Sequence, residues 1–271
     1  MHQEALYNEY EITKLVCDSA NGMIYSGLHK ATNQKVIFKQ IPRNTVCAWA
    51  KLDDCWVPSE IYYHFVAASH DHYNVIASPI TWFEKRSSFV LVLEEVENAT
   101  DLFYFVERSD GPVDEKDAAN IFGQILQMLV VLKEAGISHR DIKDENIIVN
   151  QSTLECKLID FGCATADLDG EQDEFSGTPE FYPPEFWKRR TYHHDTLNIY
   201  AAGLVLHILL RGGLPFRDRQ AVAKFDVSEI DLSAMSSRAK RIILSTIAHR
   251  PEDRATLVEL ERMHTFWSLS L

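Results

Sequence analysis

Apolar and polar residues change their spacing about a third of the way along the chain. Over residues 10–43 the β-prone segments Tyr10-Glu11-Ile12, Met23-Ile24-Tyr25 and Lys35-Val36-Ile37-Phe38-Lys39 are separated by polar stretches, and Thr32-Asn33-Gln34 supplies a turn before the last of them. This pattern predicts a small antiparallel sheet. Residues 57–68 carry Pro58 near their start and Ile61, Phe65 and Ala68 on one face, which predicts a helix. Phe89-Val90-Leu91-Val92-Leu93 is apolar throughout and predicts a buried strand. After Glu94 the period becomes helical: over 118–135, Ile121, Ile125, Leu129 and Leu132 fall on one side, and further helices are expected from 197 onward. A strand-rich part with one helix followed by a larger helical part predicts an α+β protein of two lobes, 1–95 and 96–271. No repeat or low-complexity linker separates them, so the boundary is expected to be a short hinge starting near residue 94, with a cleft as the default ligand site.

Composition narrows the class. With 271 residues, 46% hydrophobic and 25% charged, the chain has the makeup of an ordered globular protein. The longest apolar run, 197–210, contains Asn198 and His207 and falls short of the roughly 20 residues that cross a bilayer, so it reads as a buried helix. Residues 1–11 mix acids and polar groups and lack a signal-peptide pattern, which leads us to expect a cytoplasmic or nuclear protein. Five cysteines, an odd number without CxxC spacing, argue for reduced thiols and against a disulfide framework or structural zinc. His70 and His72 flank Asp71 in a segment that reads as a polar loop. The net charge is −13, divided as −3 over residues 1–95 and −10 over 96–271. A field of that sign disfavours nucleic acid and anionic membranes as partners and attracts basic peptides.

Two segments carry chemistry. His139-Arg140-Asp141-Ile142-Lys143-Asp144-Glu145-Asn146 is followed by Asp160-Phe161-Gly162 and then by Pro183-Pro184-Glu185. In this order they resemble the signature set of protein kinases, which implies a bilobal kinase fold and transfer of the γ-phosphoryl group of Mg-ATP to a protein hydroxyl. Such a reaction passes through a loose transition state, so the enzyme mainly positions groups and neutralises charge. By this resemblance Asp141 orients the acceptor hydroxyl and takes its proton. Asn146 and Asp160 offer hard oxygen ligands to Mg2+, and Lys143 steadies the transferring phosphate. A lysine at 143, with Thr178 after Gly177, favours serine/threonine acceptors over tyrosine. Lys39 ends the third predicted strand and Glu60 lies in the next helix, as the expected ion pair that aims a lysine at the α- and β-phosphates requires.

A closer likeness covers roughly residues 10–267. Val57-Pro58-Ser59-Glu60, Phe89 through Glu94, Asp101-Leu102-Phe103-Tyr104-Phe105, the 139–146 loop and Lys157 through Gly162 are similar to the Pim family of serine/threonine kinases. That resemblance implies protein substrates with basic residues around the acceptor and activity without activation-loop phosphorylation; a monomer is expected. It also assigns the nucleotide-lining positions Val16, Gly22, Ile24, Ile37, Leu93, Ile148 and Ile159, with Glu94 and Val96 in the hinge. The hinge Glu94-Glu95-Val96-Glu97 lacks the Pim proline, so Val96 keeps an N–H for the adenine. Asp101 and Glu145 are the matched carboxylates for substrate arginines, while Tyr104 replaces an acid of the Pim pattern, which predicts weaker selectivity.

Several positions depart from pattern. The phosphate-covering loop, expected to be glycine-rich, reads Cys17-Asp18-Ser19-Ala20-Asn21-Gly22-Met23-Ile24; only Gly22 and the closing apolar position survive, which predicts weakened ATP binding. Ile37 stands where most kinases have alanine and narrows the adenine roof. Asn198 replaces a buried aspartate that anchors the catalytic loop and should hold it less firmly. Glu185 and Arg254 match a buried structural ion pair. Five acids, Asp167, Asp169, Glu171, Asp173 and Glu174, lie within the activation segment between Gly162 and Gly177, and one of them is expected to pair with Arg140 in place of a phosphate. Two functions follow: an active kinase, which the retained Asp141, Lys143, Asn146 and Asp160 favour, or a pseudokinase acting as a nucleotide-binding scaffold.

Overall fold

The computed structural model describes residues 3–19, 22–109, 111–174, 176–225 and 227–271. Their contacts divide the chain into two compact units, Met1–Ser69 with Ile76–Glu97, and His70–Val75 with Asn98–Leu271.

The first unit contains α1 (Gln3–Glu9), β1 (Tyr10–Ser19), β2 (Gly22–His29), β3 (Lys35–Pro42), β4 (Trp49–Leu52), β5 (Cys55–Pro58), α2 (Ser59–Ser69), β6 (Pro79–Glu84) and β7 (Ser88–Glu94). Five strands pair antiparallel in the order β1-β2-β3-β7-β6. Alternation along β3 and β7 sorts the core. Val36, Phe38, Val90 and Val92 pack on one face with Tyr10, Phe83 and Leu6 of α1. Ile41, Phe89, Leu91 and Leu93, with Ile37 at the margin, pack on the other with Val57 and with Ile61 of α2. Lys39 shares the parity of Ile37 and Ile41, so its side chain leaves the sheet on the α2 side. The first turn of α2 holds Glu60.

Two details differ from the sequence reading. Val57 and Pro58 do not open the helix; they end β5, which pairs with β4 through Trp49↔Pro58 and Ala50↔Val57. The hairpin turns at Asp53 and Asp54, both with left-handed φ of 45° and 66°. The buried residues of α2 are Ile61, His64 and Ala67; Phe65 and Ala68 are half-buried.

The second unit contains β8 (Ala99–Asp101), α3 (Leu102–Arg108), α4 (Glu115–Glu134), β9 (Ile147–Asn150), β10 (Cys156–Leu158), α5 (Pro184–Arg189), α6 (His194–Arg211), α7 (Arg219–Lys224), α8 (Ser237–Thr246) and α9 (Leu257–Ser268). The expected helix over 118–135 is α4, with Ile121, Ile125, Leu129 and Leu132 all buried. The apolar run 197–210 forms most of α6, which is buried on nearly every side. A three-stranded sheet, β10-β9-β8, carries the segments on either side of the 139–146 loop's end and Asp160. No helix among the described residues is long and apolar enough to cross a membrane.

Candidate active site

In the first unit, Lys39 Nζ lies 2.5 Å from Glu60 Oε1, with the two side chains only 11% and 12% exposed. Screening by water is weak at that burial, so each charge fixes the other's rotamer. Of the remaining positions read from sequence in this unit, Leu93 is buried, Ile24 and Ile37 are half-buried, and Val16 is 56% exposed at a bulge in the β1–β2 pairing. Gly22 adopts φ +127°, and a Cβ there would stand 2.0 Å from the Gln40 carbonyl oxygen, so no other residue fits without moving β3. Cys17 and Asp18 are exposed; Ala20 and Asn21 lie outside the described residues. Glu94 is fixed by exchange with Ser78, accepting from its N–H at 2.9 Å and donating its own to the Ser78 carbonyl at 3.0 Å. The N–H of Val96 has no acceptor among the described residues.

In the second unit, the 139–146 loop folds around one carboxylate. Asp141 Oδ1 accepts the Thr178 N–H at 2.8 Å and its Oδ2 accepts Asn146 Nδ2 at 2.9 Å. Lys143 Nζ donates to Thr178 Oγ1 at 2.8 Å, sits 3.6 Å from Asp141 Oδ2 and pairs with Glu145 at 3.0 Å. Burial alone would lower the Lys143 pKa, but the carboxylates of Asp141 and Glu145 outweigh it and hold the ammonium above its usual value. Asn146 is 6% exposed, its backbone N–H donates to the Lys143 carbonyl at 3.1 Å, and its side-chain Nδ2 donates to Asp141 Oδ2 and to the Asp141 carbonyl. Ile159 N–H binds the Asn146 carbonyl at 3.0 Å, which brings Asp160 next to this loop. Arg140 and Asp160 both take left-handed φ of 64°, a conformation that costs about 1–3 kcal/mol for a residue other than glycine and occurs at functional sites. Phe161 is fully buried with its ring 4.9 Å from His139, whose Nε2 contacts the Ile159 carbonyl at 3.0 Å. Ile148 and Ile159 are half-buried.

The activation segment is held differently from the expectation. Arg140 donates to the Cys163 carbonyl at 2.5 Å, its charge acts on the Tyr192 hydroxyl, and among the described residues none of Asp167, Asp169, Glu171, Asp173 and Glu174 forms an ion pair with it. Glu171 instead faces His193, at 4.0 Å. Gln172 and Tyr192 exchange backbone hydrogen bonds at 2.9 and 3.0 Å, and the Tyr182 hydroxyl accepts the Ser176 N–H at 2.6 Å. Burial raises both tyrosine pKa values, so both hydroxyls stay neutral. Sequence reasoning did not single out Tyr182 or Tyr192, because nothing in their local pattern marks tyrosines that meet Arg140 and Ser176. Glu185 and Arg254 form the expected buried pair, bidentate at 2.7 and 2.6 Å with side chains 8% and 1% exposed.

Asn198 borders a cavity of about 10 Å³ shared with Arg140, Ile142 and Thr178, and its side-chain amide makes no hydrogen bond among the described residues. Asp101 caps α3 by accepting the Tyr104 N–H at 2.8 Å, and burial with the nearby charge of Glu145 raises its pKa. Glu145 is 56% exposed and pairs with Lys143.

The donor set fits a hard divalent cation carrying polyphosphate. Asn146 spends its NH2 on Asp141 and leaves its amide oxygen as an acceptor; Asp160 adds a carboxylate in a strained backbone position, and neither residue is soft or redox-active. Within the first unit, Lys39, fixed by Glu60, is a cation of the kind that suits phosphate oxygens.

The family model described as "protein kinase domain" matches residues 10–266. The chain is 29% identical to the serine/threonine-protein kinase pim-2 of Danio rerio, over 95% of this chain and 84% of that one. It is 30% identical to the serine/threonine-protein kinase prk-2 of Caenorhabditis elegans, over 74% of this chain but only 45% of that one. A probable serine/threonine-protein kinase of Saccharomyces cerevisiae, HSL1, is 32% identical over 70% of this chain, which spans 13% of its length.

Proposed function

This chain belongs to the protein kinase family and is a serine/threonine protein kinase; from that premise we propose that Asp141, Lys143, Asn146 and Asp160, with Lys39 and Glu60, carry out phosphoryl transfer from Mg-ATP to a serine or threonine hydroxyl. The observation that supports the reading best is the closed set of contacts among Asp141, Thr178, Lys143 and Asn146. Asp141 has one oxygen held by a backbone N–H and the other by an amide, so the carboxylate is fixed in orientation before substrate arrives, and it receives the acceptor proton. Lys143 lies beside that carboxylate as a charged donor and meets the transferring group. Magnesium-bound ATP would supply the phosphoryl group and positive charge to offset that of the phosphates. Asn146 and Asp160 would hold the ion through oxygen, and Lys39, locked by Glu60, would offer its charge to the phosphates. By the family resemblance Gly22, Val16, Ile24, Ile37, Leu93, Ile148 and Ile159 would line the nucleotide, and Val96 would donate its N–H to the adenine beside Glu94.

Within this reading the chain is Pim-like in substrate and control. Asp101 and Glu145 interact electrostatically with each other and receive substrate arginines. The activation segment needs no phosphate because Arg140 is already occupied by the Cys163 carbonyl. The test is transfer of radiolabelled γ-phosphate to an arginine-rich serine peptide, with Asp141→Asn as control. Transfer equal in the two proteins overturns the catalytic reading, a preference for acidic flanks overturns the substrate reading, and inactivity of dephosphorylated protein overturns the control.

A further inference from the structure

The chain is strongly acidic, yet one surface of the second unit is basic and unneutralised. Lys188 and Arg189 form the last turn of α5, Arg190 follows as its left-handed cap, and Arg219 opens α7, which packs against α5. All four are exposed, and among the described residues none has a carboxylate within 4.0 Å, although the chain holds 40 acids against 27 bases. Arg217, close by, is paired with Asp218 at 3.4 Å, so this surface does not lack acids altogether.

The arrangement is ordered rather than a loose fringe of long side chains. The guanidinium groups of Arg190 and Arg219 lie 6.0 and 5.0 Å from the indole of one residue, Trp187. That indole is itself fixed, since its N–H donates to the Tyr182 carbonyl at 3.2 Å. Lys188 Nζ stands 2.8 Å from His249 Nε2, so the imidazole accepts from the ammonium, and burial together with the Lys188 charge lowers the His249 pKa. Helix dipoles explain only part of the set. Lys188 and Arg189 suit the C-terminus of α5, but Arg219 sits in the first turn of α7, where a cation is disfavoured. Two arginines gathered on one ring repel each other until an anion bridges them.

We propose that Arg190 and Arg219, stacked on Trp187 and flanked by Lys188 and Arg189, form a docking site for a phosphorylated protein segment. A phosphomonoester carries close to two negative charges and three acceptor oxygens, which match two guanidinium forks as a single carboxylate does not. The net charge of −13 opposes a long polyanion or an anionic bilayer, whereas one phosphorylated residue on a short segment meets only the local cations. Among the described residues none of the four cations makes a hydrogen bond or ion pair with Asp141, Lys143, Asn146 or Asp160, and occupancy of the site requires no turnover.

The test uses the full chain and fluorescence anisotropy with a labelled peptide bearing two phosphoserines, its unphosphorylated twin, and a twin with glutamates in place of the phosphoserines. The phosphopeptide should bind at least about tenfold tighter than either twin, with affinity falling as salt rises. Arg190→Gln with Arg219→Gln should remove that advantage, Arg190→Lys with Arg219→Lys should restore only part of it, and transfer to an unphosphorylated substrate peptide should stay unchanged in both. If the glutamine pair proves misfolded by thermal denaturation, Lys188→Gln with Arg189→Gln makes the same comparison. Equal binding of phosphorylated and unphosphorylated peptides, or wild-type affinity in the glutamine variants, overturns the proposal. So does tighter binding of phosphatidylserine vesicles or duplex DNA through the same residues.

Discussion

The backbone N–H of Thr178 reaches Asp141 Oδ1 across 2.8 Å, tying the end of the activation segment to the carboxylate at the centre of the candidate site. Gly177 makes that approach feasible. Its φ is +96°, and a Cβ there would lie 2.3 Å from the Arg140 carbonyl oxygen and 3.2 Å from Asp141 Oδ1. Gly177→Ala is therefore expected to push the two segments apart, costing about 1–3 kcal/mol of stability from backbone strain. The kcat loss should be larger, at least about tenfold, because Asp141 and Lys143 lose a shared partner. Peptide phosphorylation and urea unfolding on the same variant measure the two effects. Full kcat in a folded Gly177→Ala protein would show that this contact does not organise catalysis.

How much of this was legible in the sequence depends on the range over which each feature is determined. Lys39 could be placed because Val36, Ile37, Phe38 and Ile41 alternate across a buried sheet, and α4 and α6 because their apolar residues recur over several turns. The β4–β5 hairpin was missed for a local reason. Its strands are four residues each, and its two-residue turn is Asp53-Asp54 rather than the stronger Asn-Gly or Asp-Gly signal, so Val57 and Pro58 read as a helix start. Helix α1 is a single short segment that forms because Leu6 fills a pocket with Tyr10 and Phe83. In the site, the motif residues were readable one by one, but the occupant of Arg140 was not. Charge pattern pointed to five acids, whereas the fold delivers the Cys163 carbonyl.

The pair between Glu185 and Arg254 should be among the most costly contacts to cut. Arg254 also donates to the Ala248 and Thr196 carbonyls at 3.0 and 3.1 Å and lies 4.9 Å from the Tyr200 ring, so no water is available to solvate a widowed charge. Glu185→Gln or Arg254→Met should each destabilise by about 3–5 kcal/mol, while the double variant should cost less than the sum. Chemical denaturation of the three variants completes the cycle. Additive losses would mean that the two side chains act independently.

Asn198 should matter far less than its position in α6 suggests. Its amide has no hydrogen-bond partner among the described residues, so Asn198→Ala removes no such bond and enlarges a cavity of only about 10 Å³. The expected cost is below about 1 kcal/mol, with kcat within about twofold of the parent. Asn198→Asp places a carboxylate beside Arg140 and should raise the melting temperature if that guanidinium turns toward it. A large kcat loss in Asn198→Ala would reveal an anchoring role.

Acid should weaken the fold before the carboxylates titrate. His194 and His207 are 4% and 3% exposed, and both are held below the usual imidazole range, His194 by burial and by the charge of Arg140, His207 by burial against a partly compensating bond to the Gly213 carbonyl. Both are therefore neutral in the fold and regain ordinary basicity on unfolding. For a base with a depressed folded pKa, stability is complete above the unfolded value of about 6.5 and declines as pH falls from there toward the folded value, because the unfolded chain binds the extra protons. The melting temperature should thus be level between about pH 7 and 8 and fall between about pH 6.5 and 5, where most carboxylates are still ionised. Activity should fall over the same window, since protonated His194 would confront Arg140 at the base of the activation segment. His194→Gln with His207→Gln should flatten the slope even if it lowers the plateau. An unchanged slope in that double variant would assign the acid lability to other groups.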